Sequence, residues 1–301
     1  MSFLTVVADC GDLCGECPIW DITKQHLYWT DCTARKFYRY DGSARKHELI
    51  KEGLEIYGYA LNIPEGFVVT NTSGIWLWDG ADDLQLIAAQ AGGSKCQMND
   101  CIADPKGRLL AGSCFYDPSK HYALGKLLSV GLDGAVRILD EGFHLANGLG
   151  FSMDCKTLYF TDSADRTIFA YDYDLTAGTV SNRRIFARVP STAGLPDGLT
   201  VDAEGFVWSA EWYGQRIVRY DPDGKLERSI NTPAKQTSSL TFGGPELTDI
   251  FITSAGKSEP MPLMPPGYDP GTGYFGGALY QINLGIQGRP EFRTNIKLNR
   301  G

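Results

Sequence analysis

The chain has 301 residues, 43% of them hydrophobic and 21% charged, and its 36 Asp and Glu outnumber 28 Lys and Arg for a formal charge of −8. This balance excludes a disordered, collagen-like or membrane-spanning polypeptide and leaves enough apolar material for a large core. It also argues against a nucleic-acid partner, because the densest basic patches, Arg35-Lys36 and Arg183-Arg184, are isolated pairs.

The chain opens with Met1-Ser-Phe-Leu-Thr-Val-Val-Ala-Asp9, a short apolar run with no positive charge before it and no small-residue cleavage pattern after it. It reads as a strand. No stretch of about 18 uncharged apolar residues follows, so no spanning helix and no membrane partner are expected. Without a secretory signal the eight cysteines are expected to be reduced thiols in a cytoplasmic protein. The trio Cys10, Cys14 and Cys17 is the one cluster with a spacing that could bind zinc. No second Cys/His pair lies at finger spacing, and His26, His47, His121 and His144 are scattered.

Thirty-five glycines and fifteen prolines punctuate short runs rich in Val, Ile, Tyr, Phe, Trp and Thr, and no segment keeps a 3.6-residue apolar period for three turns. The chain is therefore read as all-β. One phrase recurs: a polar residue opening a small-apolar alternation, a turn, an aromatic strand, then a strand ending in Tyr-Asp or Trp-Asp. It is clearest from Asp197 through Gly205-Phe-Val-Trp208 to Arg216-Ile-Val-Arg-Tyr-Asp221, and it begins also at Glu16 and Asn147. Weaker copies start at Gly58, Asn99 and Ser238.

Successive starts lie 41 to 50 residues apart, a period that suits one four-stranded propeller blade. Six copies predict a six-bladed β-propeller forming a single domain over residues 1–301. The first strand, Phe3 to Ala8, is placed to complete the last blade and hide its edge. The run Pro260-Met-Pro-Leu-Met-Pro-Pro266 interrupts the sixth copy as an inserted loop.

Equal phase puts the opening residue of every copy at the entry to the innermost strand, at one mouth of the central channel. That ring is Glu16, Gly58, Asn99, Asn147, Asp197 and Ser238. Two carboxylates, two carboxamides and a hydroxyl converging on one axis are hard oxygen donors, suited to a divalent cation. Without a cation, converging like charges raise one carboxyl's pKa. A water-filled polar channel accounts for the same residues. Rival chemistry has no footing: there is no Gly-x-Ser-x-Gly elbow, no Walker loop and no His-Glu-x-x-His. Asp172-Tyr-Asp174 lacks the Gly and Glu of a calcium loop and reads as a hairpin turn.

At these residues the sequence resembles the gluconolactonase, regucalcin and luciferin-regenerating enzyme family of six-bladed sugar lactonases. The resemblance is carried by Gly15-Glu16-Cys17-Pro18-x-Trp20, Asn99-Asp100 with Asp104-Pro105-x-Gly107-Arg108, Asn147-Gly148-Leu149, and Pro196-Asp197-Gly198-Leu199 with Arg219-Tyr-Asp-Pro-Asp-Gly224. It spans nearly the whole chain. It implies one divalent metal (Ca, Zn, Mg, Mn or Fe(II)) held by Glu16, Asn147 and Asp197, with Asn99 contacting metal-bound water or substrate. Three departures stand out. Cys17 and Cys101 occupy positions where the family usually has Gly, and Gln97 stands where it commonly has Arg. A lost guanidinium removes a fixed charge-assisted donor to the substrate, so the lactone does not carry over from the best-known members.

The expected activity is metal-dependent hydrolysis of a sugar (aldono)lactone to the sugar acid, with Asp197 as general base and Asn99, Gln97 and Tyr116 at the substrate. Tyr116, Trp212 and Tyr57 are aromatic candidates for the pocket wall and equally for blade packing. Alternatives are a lactonase or esterase for non-sugar lactones, and a non-enzymatic calcium-binding propeller. The expected partner is the small-molecule sugar lactone, and the chain a monomer or small homo-oligomer.

Overall fold

The computed structural model describes residues 3–113, 125–256 and 263–298, and among these there is no helix. Six four-stranded antiparallel sheets account for the repeats. The first blade is Gly15–Asp21, His26–Asp31, Lys36–Asp41 and Lys46–Glu52, and the second Gly58–Leu61, Phe67–Asn71, Gly74–Trp78 and Leu84–Ala88. The third is Met98–Ala103, Leu109–Ser113, Gly125–Val130 and Val136–Phe143, and the fourth Ala146–Phe151, Thr157–Asp162, Thr167–Asp174 and Thr179–Arg188. The fifth is Leu195–Val201, Val207–Trp212, Arg216–Tyr220 and Leu226–Asn231. The sixth combines Thr237–Gly243, Asp249–Ser254 and Ala278–Asn283 with Thr5–Asp9 as its outermost strand. The closing strand thus lies slightly later than Phe3 to Ala8, with Thr5 opposite Gln281 and Asp9 opposite Ala278.

Each blade's first-listed strand, in the sixth Thr237–Gly243, is innermost, and the six pack neighbour to neighbour into a closed ring. Aromatic side chains fill the gaps between blades. Trp20 of the first blade stacks on Phe251 of the sixth at 5.6 Å, and Phe37 meets Tyr59 of the second edge-on at 4.8 Å. Burying each such ring contributes about 1.5–3 kcal/mol, which neither blade gains alone. Aspartates at strand ends work locally. Asp21 Oδ1 accepts the Thr23 and Lys24 amides, Asp202 Oδ1 those of Glu204 and Phe206, and Asp174 Oδ1 those of Thr176 and Ala177. Asp172-Tyr-Asp174 is therefore a hairpin end, as read.

One element has no signature in the sequence. After Ala278–Asn283 the chain crosses the far end of the channel as an extended strap. Its backbone bonds to Leu247 and Ala203, then to Leu61 and Ile63, to Gly107 and to Leu132. Arg289 donates to the Ser152 carbonyl and Arg293 pairs with Asp21, so the strap touches all six blades. Arg289, Glu291 and Phe292 floor a cavity of about 50 Å³ inside the channel, whose walls include Cys17, Asp100 and Leu199.

Candidate metal centre

Five of the six phrase-opening residues share a backbone device. The ladder between the innermost and second strands slips between Glu16 and Ile19, Met98 and Cys101, Asn147 and Leu149, Pro196 and Leu199, and Thr237 and Ser239. A bulge re-aims a side chain that a regular ladder would send to one sheet face. Glu16, Asn99, Asn147, Asp197 and Ser238 all sit in these slips. The second blade, with regular pairing from Gly58↔Thr70 to Leu61↔Phe67, places a residue with no side chain there. A Cβ on Gly58 would come within 2.7 Å of the Asn99 carbonyl. Gly198 is equally constrained, since a Cβ would lie 2.1 Å from Ser239 Oγ, so Gly is required beside Asp197.

Hydrogen bonds sort the ring further. Asn147 donates its side-chain nitrogen to Ser163 Oγ at 3.1 Å, and Asn99 donates its own to the Ala146 carbonyl at 2.8 Å. Both amino ends are spent on protein, which leaves the amide oxygens for the axis. Ser238 departs from the ring reading. Its hydroxyl, fully buried, donates to the Gly15 carbonyl and meets Thr253 Oγ1 at 3.0 Å. It ties the sixth blade to the strand that carries Glu16 and offers nothing to the channel.

The carboxylates carry the electrostatic conflict expected of them. Burial, then Asp197, then Asp100 push Glu16 well above the usual carboxylate range. Burial, then Asp100, then Cys32 do the same to Asp197. Asp197 is 4% exposed, and its Oδ1 is buried without a hydrogen-bond partner. Asp100, held by the Cys101 amide at 2.7 Å, is raised to about 6, mainly by burial. An orphaned buried carboxylate oxygen within electrostatic reach of a second carboxylate, with two carboxamides opening strands at the same mouth, fits a hard divalent cation, which would lower the field that raises these groups. Among the described residues no three His, Cys, Asp or Glu stand in a group that could hold a metal ion by themselves, so the structure does not gather Cys10, Cys14 and Cys17 as one.

The other predicted residues distribute unevenly. Gln97 is exposed just before Met98–Ala103, at the mouth. Trp212 pairs with Leu195 at the same end, with its indole Nε1 buried and lacking a hydrogen-bond partner. Tyr57 is half-buried and its carbonyl accepts the Cys17 thiol at 3.0 Å. Tyr116 lies outside the described residues. Sequence reasoning gave Asp100 no role, although it follows Asn99 directly, and it placed Cys14 only in the zinc trio, since its proximity to Cys32 is revealed by strand pairing alone. Cys17 adopts φ 48°, the left-handed conformation that explains why glycine suits this position.

Comparison with known proteins bears on the family and the fold. The family model described as SMP-30/Gluconolactonase/LRE-like region matches residues 14–256. The pentonolactonase XacC of Haloferax volcanii is 35% identical over 98% of this chain and 99% of its own. Regucalcin of Xenopus laevis is 32% identical, covering 91% of this chain and 92% of its own. A solved luciferin-regenerating enzyme superposes with a TM-score of 0.88 at 29% identity, covering 98% of this chain and 100% of that one. With its six in-phase blades and the bulged residues that open them, the chain belongs to the SMP-30/gluconolactonase/LRE-like family of sugar lactonases.

Proposed function

We propose that the protein hydrolyses a sugar lactone to its sugar acid, with one divalent cation held by Glu16, Asn147 and Asp197. The observation that carries the reading is the buried, partnerless Asp197 Oδ1, whose carboxylate raises Glu16, at a mouth where Asn99 and Asn147 spend their side-chain nitrogens on protein. The similarity to a pentonolactonase over nearly the full chain supports an aldonolactone substrate.

A bound cation would supply Lewis acidity toward the lactone carbonyl and lower the pKa of nearby water. Asp197 accepts a proton from the attacking water as its oxygen bonds to the carbonyl carbon. When the bond from that carbon to the ring oxygen breaks, Asp197 returns the proton to the departing oxygen, leaving a hydroxyl and a carboxylic acid. Asn99 orients water or substrate through its fixed amide oxygen. Gln97, neutral and exposed, contacts substrate hydroxyls without the charge that an Arg would bring. No Ser or Cys nucleophile is required, because lactones already open slowly in water.

The test is acid release from a panel of aldonolactones and non-sugar lactones, with and without a chelator. Hydrolysis of aldonolactones that stops with the chelator and returns with added cation is expected. Undiminished activity in stringently metal-free protein would remove the metal, and activity on non-sugar lactones alone would remove the sugar substrate.

A further inference from the structure

The mouth also carries two thiols that the lactonase reading does not use. Cys14 precedes the strand Gly15–Asp21 and Cys32 follows His26–Asp31. Because Gly15 pairs with Asp31, the two cysteines face each other one step further along the same antiparallel ladder. The Cys32 amide donates to the Cys14 carbonyl at 3.0 Å, which holds the two residues directly opposite each other. One carboxylate clamps both backbones: Asp31 accepts the Leu13 amide at 2.7 Å, the Cys14 amide at 3.1 Å and the Ala34 amide at 2.9 Å.

Directly opposed residues of an antiparallel pair have Cα atoms about 4.5–5.5 Å apart, inside the roughly 4.4–6.8 Å window of a disulfide. A bridge here asks for rotation about two side-chain bonds and little movement of backbone. Cys14 lies beside Glu16 and Asp197, and Cys32 beside Asp197, so the bridge would stand in the wall of the mouth. The neighbouring thiols are differently disposed. Cys17 donates to the Tyr57 carbonyl and to Asp100, and Cys101 belongs to another blade.

We propose that Cys14 and Cys32 are a reversible disulfide-forming pair, a covalent modification site for peroxides at the channel mouth. Two S–H bonds break and one S–S bond forms, while the two protons and two electrons released reduce one molecule of hydrogen peroxide to two of water. A thiol reductant reverses the step. The bridge staples the entry to the strand bearing Glu16 without consuming a proposed ligand.

The proposal does not rest on lactone hydrolysis, and neither does its test. The full chain is treated with hydrogen peroxide, its remaining thiols are capped, and it is digested without reductant for mass spectrometry. The expected product is a linked peptide pair containing Cys14 and Cys32, two hydrogens lighter than the sum of its parts and split by dithiothreitol. The bridge closes a loop of moderate length, so the oxidised protein should melt roughly 5 °C higher. Cys14→Ser and Cys32→Ser should each abolish both the link and the shift. Recovery of Cys14 and Cys32 as free thiols after other cysteines have reacted, or a link from either to a different cysteine, would overturn the pairing.

Discussion

At the scale of single residues, Asp197 and Asn99 are assigned distinguishable duties although both open innermost strands at the same mouth of one channel. Asp197 is proposed to hold the cation and to carry the proton, whereas Asn99 serves the water or substrate. Replacing Asp197 by Asn keeps an oxygen donor and removes the base. Excess cation should restore occupancy in that variant while turnover stays roughly 10²–10⁴-fold down, the usual contribution of a positioned base. Asn99→Ala should bind the cation nearly as wild type and lose turnover. Cation titration beside lactone hydrolysis checks both, and full activity of saturated Asp197→Asn would remove the base assignment. Both residues were legible in the sequence, because each opens a copy of the repeated phrase. Ser238 opens one too, yet its hydroxyl is spent on the Gly15 carbonyl, a bond between residues 223 positions apart that no spacing rule foretells.

At the scale of elements, the outermost strand of the sixth blade is decisive. Thr5–Asp9 hydrogen-bonds along Ala278–Asn283, joining the two ends of the ordered blades, and Ala8 packs beneath Trp20 and Phe251. Deleting residues 1–9 exposes the edge of Ala278–Asn283 as an unpaired row of amides and carbonyls. The truncated protein should melt at a markedly lower temperature and form concentration-dependent aggregates, read by light scattering during a thermal ramp. Unchanged melting would mean that the ring closes without this strand. The strap after the sixth blade was not legible. It has no alternation and no periodicity, and its partners are single backbone groups on all six blades, which only the assembled far face brings within reach.

For the whole molecule, pH and cation should act in opposition. Glu16, Asp197, Asp100 and Asp12 are all raised by burial, Asp100 to about 6 and Asp12 to about 7. Between the unfolded and folded pKa values the native state binds more protons than the unfolded chain, so stability falls as pH rises from about 4 to 7, by about 1 kcal/mol per pH unit for each such group. The cation-free protein should therefore melt higher at pH 5 than at pH 8. Added divalent cation binds the ionised site, so its stabilisation should be larger at pH 8 than at pH 5, where protons compete. Thermal melts at the two pH values, with calcium and with chelator, check the prediction. A cation effect independent of pH would show that Glu16 and Asp197 are not where it binds.

The sequence by itself determined the blades, their number and their phase, because β-branched and aromatic runs, turn aspartates and a period of 41 to 50 residues are local properties written in order along the chain. That phase was enough to gather Glu16, Asn99, Asn147 and Asp197 at one mouth. Only the tertiary structure decided what each could do there. The bulges that turn these side chains, the hydrogen bonds that spend the amide nitrogens and free the oxygens, and the burial that raises the carboxylates all arise between strands or blades. So does the meeting of Cys14 with Cys32. Pairing register and burial depend on which residue lies opposite, and a one-dimensional pattern carries no information about that until the ring has closed.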